Sequence, residues 1–420
     1  TVSQKYYAYV GGLVGYNNNQ GTIQNCYRYS NQIISVKEGT SISNEPTNTA
    51  GVQTSIENFY SEYWCQHVLG WTEIVIWDFD GDFPTLNYVV INSDLTIIIS
   101  TAEELKALQG VVLTQNYILG ANINLNGMEW TPIVGVMGEF DGNGFTIFNF
   151  KITTINYGFL GLFRYNSGII KNLGVENFTI SSSSHSDLYA GGLVGYNIGE
   201  IMNCYATGDV SATSSDAYAG GLVGYNIGEI MNCYATGDVN ETPFYAYAGG
   251  LVGYNIGEII NCYATGDVKA SATAASAKAY VGGLVGYNRG TITNSYATGN
   301  VSATSFGDDA YVGGLVGYNR GTIANSYATG NVSATSFDVY VGGLVGYNYY
   351  SEIANSYATG NVSATSSNAD AYAGGLVGYN YNSGIANSYA MGDVSATSSD
   401  DNADAYAGGL VGYNDRGTIT

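Results

Sequence analysis

The stretch YAGGLVGYNIGEIMNCY, residues 218–234, returns almost letter for letter along the chain. Its core word GGLVGYN starts at Gly191, Gly220, Gly249, Gly282, Gly313, Gly342, Gly374 and Gly408, with one isolated earlier copy at Gly11. Neighbouring starts in the main series lie between 29 residues (191 to 220) and 34 residues (374 to 408) apart. Constant words joined by spacers of changing length indicate stacked supersecondary units, because each unit must match its neighbour whereas its loops need not.

The stretch that follows each word gives the local structure. In CYATGDVSAT, residues 204–213, Cys204, Ala206, Gly208, Val210 and Ala212 alternate with Tyr205, Thr207, Asp209, Ser211 and Thr213. Period two means a strand, with small apolar residues on one face and polar ones on the other. With about thirty residues per unit and no helical pattern between units, the sequence predicts a right-handed parallel β-solenoid, equivalent strands lying roughly 4.8 Å apart along the axis. The asparagines that precede this strand, Asn203, Asn232, Asn261, Asn294, Asn325, Asn355 and Asn387, read as an inward stack satisfying backbone groups at a bend. Leu222 and Val223 are adjacent, so in a regular strand one of their two apolar columns would point outward. A short helix is expected at 101–109, where Thr101 and Glu104 have capping-box spacing; it would cover an open strand edge.

The repeat GGLVGYN.G.I.NCYATGDV is similar to that of the GLUG-motif family. The resemblance implies bacterial or archaeal cell-surface and secreted β-solenoid proteins, among them adhesins and some immunoglobulin-cleaving proteases. Residues 93–180, with TAEELKAL, WTPIVG, FDGNGFTI and IIKNLGV, look like the opening segment of such arrays, and residues 58–86, ending in VIWDFDGDFPTL, like a closing one. The organisation expected from this is the last coil of one array at 1–28, its terminal cap at 29–92, the start of a second array at 93–190, and eight repeats at 191–420, the last incomplete.

Charge and composition narrow the function. Twelve basic residues face 34 acidic ones, a net charge of -22, which repels a phosphate backbone and argues against nucleic-acid binding. No apolar run reaches the 18 or so residues of a membrane helix. The two histidines, His67 and His185, have no nucleophile motif beside them, and GxSxG, HExxH and GxxxxGK[ST] are missing, so no catalytic residue is assigned and no enzyme is expected. Asp209, Asp238 and Asp267 would stack as like charges, which a calcium ion would relieve; later coils carry Asn300, Asn331, Asn361 and then Asp393 at that place, which better suits a solvated turn that accepts either residue. No other cofactor is indicated. Cys204, Cys233 and Cys262 share one position with Ser295, Ser326, Ser356 and Ser388, which suits a small packed residue better than a disulfide or metal site. The tyrosine columns read as self-stacking ladders, with sugar binding as the alternative. Sequons occur at Asn177, Asn240, Asn300, Asn331 and Asn361, glycosylation candidates in a secreted chain.

The reading that results is an extracellular or cell-surface structural or adhesive repeat protein, a rigid rod. Its expected contacts are with itself, head to tail or laterally, in a surface fibre, and with surface glycans or other surface proteins. The alternative is a carbohydrate-active β-helix enzyme, a polysaccharide lyase or glycosidase.

Overall fold

The computed structural model describes residues 96–153, 158–183, 187–241, 245–272, 278–305 and 309–420, together with four short strands nearer the N-terminus. The chain divides into two units, Thr1–Asp94 and Leu95–Thr420. In the first, Tyr27–Tyr29 pairs in parallel with Val52–Thr54, and Val75–Asp78 pairs antiparallel with Thr85–Tyr88. The isolated repeat at Gly11, Cys26, Cys65 and His67 lie outside the described residues, as does His185.

The second unit is an all-β parallel solenoid. One coil shows the plan: Asp216–Gly220, Val223–Asn226, Glu229–Met231, Tyr234–Ala235 and Val239–Glu241 follow one another around the axis. Each pairs in register with its counterparts before and after, building sheets of nine, eleven, twelve and sixteen strands. Every pairing in these sheets is parallel, Tyr218 lying on Tyr189 and Tyr247, Val210 on Val239. The alternation read from 204–213 is what the strand Tyr205–Thr213 shows: Cys204, Ala206, Val210 and Ala212 are buried, whereas Asp209 and Thr213 are exposed.

The interior is a single column of small and branched residues. In the repeat coils it draws on alanine, valine, leucine and isoleucine, with cysteine or serine at one position, as in Ala219, Leu222, Val223, Ile230 and Cys233, all fully buried. The opening coils are filled by rings instead: Phe140 and Phe163 meet edge to face at 5.0 Å, and Phe150 stacks on Phe178 at 5.6 Å. Trp130, buried beside them, donates its indole N–H to the Leu162 carbonyl at 3.1 Å, as a buried indole requires.

The predicted helix is present as α1, Ala102–Ala107, with Thr101 as N-cap and both hydrogen bonds of the capping box to Glu104. The backbone N–H groups of Ser100 and Thr101, both donating to its carboxylate, hold the Glu104 carboxyl below its usual pKa. Its fully buried Leu105 joins the core, and the helix packs on Ile123–Glu129, the outermost strand of its sheet, so that edge is covered.

Two expectations are corrected. Leu222 and Val223 are both fully buried, so neither forms an outward apolar column. Leu222 sits at the corner before the strand, where its carbonyl accepts the N–H groups of Leu193 and Val194 at 3.0 and 3.1 Å. The register then runs from Val223 to Tyr225 without pairing Gly224, which breaks the simple alternation. The asparagines before the alternating strand are not inward either. Asn203, Asn232 and Asn261 have φ of 54–55°, the left-handed bend that asparagine tolerates, and are exposed.

The repeated glycines answer to close approach between coils. A Cβ on Gly257 would overlap the Gly228 carbonyl oxygen of the coil below, and one on Gly250 would overlap that of Gly283 above. Neighbouring coils come this near only where both lack a side chain.

Candidate functional site

The polar and aromatic candidates for a site are arranged as columns along the solenoid axis, and the geometry shows how each is held. Asp209, Asp238 and Asp267 lie in one exposed column with Asn300, Asn331, Asn361 and Asp393. In each step the side-chain Oδ1 accepts the backbone N–H of the next coil: Asp238 N–H to Asp209 at 3.0 Å, Asp267 N–H to Asp238 at 2.9 Å, Asn300 N–H to Asp267 at 2.7 Å, and Asn331 N–H to Asn300 at 3.1 Å. One carbonyl-type oxygen is all this bond needs, so aspartate and asparagine are interchangeable here. Among the described residues no three His, Cys, Asp or Glu side chains gather closely enough to hold a metal ion.

The cysteine column follows the same logic. Cys204, Cys233 and Cys262 are free and buried. Each Sγ lies 3.1–3.2 Å from the carbonyl oxygen two residues earlier, and the Cys233 and Cys262 sulfurs accept the N–H of the preceding coil's cysteine at 3.3 Å. Ser295 and Ser326 reproduce both bonds, the hydroxyl donating at 2.8 Å and accepting at 3.1 and 3.2 Å. Burial pushes the Cys233 and Cys262 thiols well above the ordinary range, the opposite of a reactive thiolate.

Sequence reasoning missed the most enclosed polar ladder. Asn166, Asn197, Asn226, Asn255, Asn288, Asn319, Asn348 and Asn380, the last letter of the GGLVGYN word and its forerunner, are fully buried. Asn226 Nδ2 donates to Asn255 Oδ1 at 2.8 Å and to the Gly228 carbonyl at 3.0 Å; Asn255 repeats this to Asn288 and Gly257 at 2.8 and 3.0 Å. Recurrence alone gave no signal, since the exposed Asn203 column recurs as regularly.

Outside, tyrosines form three ladders. Tyr218 stacks on Tyr247 at 4.5 Å, Tyr225 on Tyr254 at 4.8 Å, and Tyr234 on Tyr263 at 4.7 Å, all within 5° of parallel. The first two ladders interlock edge to face, Tyr218 meeting Tyr225 at 5.8 Å and 70°. Stacking of this kind contributes ~0.5–1.5 kcal/mol per pair, so the ladders stabilise the stack whatever else they touch. Burial between neighbours pushes the Tyr225 phenol up to about 12, and burial with the Glu176 carboxylate 2.6 Å away does the same for Tyr205.

The five sequon asparagines, Asn177, Asn240, Asn300, Asn331 and Asn361, are all exposed. The columns thus offer hydrogen-bond acceptors, ring edges and hydroxyls at the coil repeat, a surface suited to repeated contact.

The comparisons agree with this picture at the level of the repeat. The model of the GLUG motif matches residues 6–27, 186–211, 215–240, 245–269, 279–302, 308–333, 338–363 and 369–395. No curated protein matches the chain. A crystal structure from Bacteroides ovatus, described as a "putative immunoglobulin A1 protease", is 23% identical over 77% of this chain and 83% of that one, with a TM-score of 0.37. That likeness is too distant to carry an argument about activity. Eight matches, seven of them in register with the coils of the solenoid, make the chain a member of the GLUG-motif family of repeat proteins.

Proposed function

We propose that the protein is an extracellular, cell-surface structural or adhesive rod, whose work is to span distance and present a periodic surface. The observation that carries this reading is the use of nearly every recurrent polar or aromatic group in coil-to-coil contact: the buried asparagines, the Cys/Ser column, the Asp/Asn column and the tyrosine ladders. A catalytic site breaks such regularity, because it needs unlike groups converging on one point. A spacer needs the regularity throughout. In this proposal residues 1–28 are the end and 29–92 the cap of one array, 93–190 the opening of the second and 191–420 its repeats.

Glycans or surface proteins are the natural contacts for the outer columns. The test has two arms. Incubation with pectin, alginate and glycosaminoglycans, followed by size-exclusion chromatography of the polymer, is expected to show no shortening. Small-angle scattering of Leu95–Thr420, produced alongside the full chain, is expected to give the cross-section and length of a rod. Catalytic chain shortening would replace the structural reading with that of a polysaccharide lyase or glycosidase.

A further inference from the structure

One outer column makes sense only with something laid against it. Glu200, Glu229 and Glu258 are direct register partners in successive coils, followed in the same column by Thr291 and Thr322. Two residues earlier in each turn stand Ile198, Ile227 and Ile256, then Arg289 and Arg320; in the last four of these the N–H bonds the asparagine carbonyl of the coil below at 2.7 Å, which fixes them at one place. The rod therefore presents three Ile-Gly-Glu turns and then two Arg-Gly-Thr turns.

Within the molecule this is an unfavourable pattern. Like charges directly opposite one another on neighbouring strands are destabilising, and none of Glu200, Glu229, Glu258, Arg289 and Arg320 belongs to an ion pair among the described residues. Arg320 instead lies 5.0 Å over the Tyr349 ring, and the Tyr254 phenol beside Arg289 raises its pKa. Ile198, Ile227 and Ile256 remain 41, 40 and 38% exposed, whereas Ile201, Ile230 and Ile259, three residues on in the same coils, are fully buried. The turns from Ile227 to Thr322, with the 350–352 turn after them, line an open groove of about 650 Å³, bordered by Ile227, Ile256, Arg289, Arg320, Tyr350 and Glu352.

We propose that this groove is an interface between two copies of the chain lying side by side and antiparallel. A twofold axis passing between the Glu258 and Arg289 turns sets Glu258 against the partner's Arg289 and Glu229 against the partner's Arg320. The same operation gives both pairs twice, as an isologous contact requires. The stacked carboxylates of one rod then face the stacked guanidinium groups of the other, and the arginine stems cover Ile227 and Ile256. Charge order along the groove commits the occupant: an acidic polymer would meet the glutamates and a basic one the two arginines, whereas a reversed second copy pairs both arginines with glutamates and leaves one like pair, Glu200 against the partner's Glu352, at each end of the contact. The pairing does not depend on the spacer reading, since rods of any function would show it.

Sedimentation velocity on the full 420-residue chain tests it. Mass is expected to double with concentration at low salt and the association to weaken as salt screens the charges. The variant Arg289→Glu/Arg320→Glu places only carboxylates at the contact and is expected to lose affinity by about a hundredfold or more. Glu229→Arg/Glu258→Arg places only guanidinium groups there and loses it equally. An equimolar mixture of the two variants restores every pair and is expected to form the heterodimer. All four changes fall on solvent-facing turns, and circular dichroism confirms that each variant is folded. A monomeric wild type up to its solubility limit, unchanged association of either variant, or failure of the mixture to pair would overturn the proposal; end-to-end association would be indifferent to these changes.

Discussion

Seven of the eight repeat coils carry two asparagines a few residues apart that look equivalent in the sequence and occupy opposite worlds in the structure. Asn255 is sealed in the interior, its amide donating to Asn288 and to the Gly257 carbonyl. Asn261, six residues on, is exposed at a left-handed bend with φ of 55°, its amide reaching Asn232 at 3.2 Å. Both columns stack at the coil repeat. The inner one adds a second hydrogen bond to a glycine carbonyl, as at Gly228, which also accepts the Glu258 N–H, and links each coil to the next through its amides; the outer one is chosen for its backbone conformation. Residue type and periodicity are thus the same for a hydrogen-bonding role and a conformational one, and only the direction of the side chain separates them.

That difference can be broken by mutation. The largest effect is expected from Asn288→Asp, which places a carboxylate in a dry ladder and replaces the amide that donates to the Gly290 carbonyl and Asn319 Oδ1 with an oxygen that repels both acceptors. The loss should reach ~3–5 kcal/mol, read as a fall in the urea midpoint or failure to fold at 37 °C. Asn294→Asp, on the exposed ladder of the same coil, should change stability by less than ~1 kcal/mol. Equal losses would mean that the two columns are not distinct in the way described.

Val301→Asp sharpens the contrast from the apolar side. Val301 is 1% exposed between Val268 and Val332, so a charge there should cost several kcal/mol, on the order of the penalty for an unpaired buried group. Ser302→Asp, one residue along and on the outer face, serves as its control and should melt near the wild type.

A natural version of this experiment already sits in the protein. Glu241 points inward where Ala212 and Ala270 stand in the neighbouring coils, and it is 1% exposed with neither carboxylate oxygen hydrogen-bonded within geometric limits. Burial raises its pKa well above the usual range, against a smaller opposing effect of the Ala219 and Tyr247 backbone amides. Because the folded-state pKa is raised, Glu241 contributes most favourably below the unfolded pKa, near 4, and that contribution is lost as pH rises towards the folded value. Glu241→Ala should therefore raise the melting temperature at pH 7, by the equivalent of ~1–3 kcal/mol, and by less at pH 4. A variant with the same gain at both pH values would remove the titration account.

The smallest expected effect is at the Cys/Ser column. Cys233→Ser should lie within ~1 kcal/mol of the wild type, because Ser295 already makes both hydrogen bonds of this position at closer range. Thermal melts of Cys233→Ser and Cys233→Ala separate the two uses of the site, and only the alanine variant should expose an unpaired N–H.

Much of this was legible in the sequence, and for a physical reason. The spacing of GGLVGYN gives the repeat, the alternation in 204–213 gives strand direction, and the Cys/Ser exchange marks a small inward position. What alternation does not reveal is any place where the chain turns. Leu222 and Val223 are both inside because the corner precedes the strand and the register skips Gly224. Asn203 faces out because its φ is positive. Corners are where solenoids depart from period two, so the exposed turns and the buried asparagine ladder, both beside corners, were the features hardest to read. The Asp/Asn exchange at 209, 238, 267 and 300 was visible as a pattern, but the backbone bond that explains it depends on the register between coils, which one strand cannot display.

The two asparagine columns can be compared most directly by side-chain amide hydrogen exchange in protein labelled with ¹⁵N-asparagine. The structure predicts a slow class from the buried ladder at Asn197, Asn226, Asn255, Asn288, Asn319 and Asn348, exchanging roughly a hundredfold or more slower than the exposed ladder at Asn203, Asn232, Asn261, Asn294, Asn325 and Asn355, because the inner amides open only when coils separate. Single substitutions assign the two classes. Exchange of both ladders at one common rate would contradict the claim that a buried column of asparagine amides ties each coil to the next.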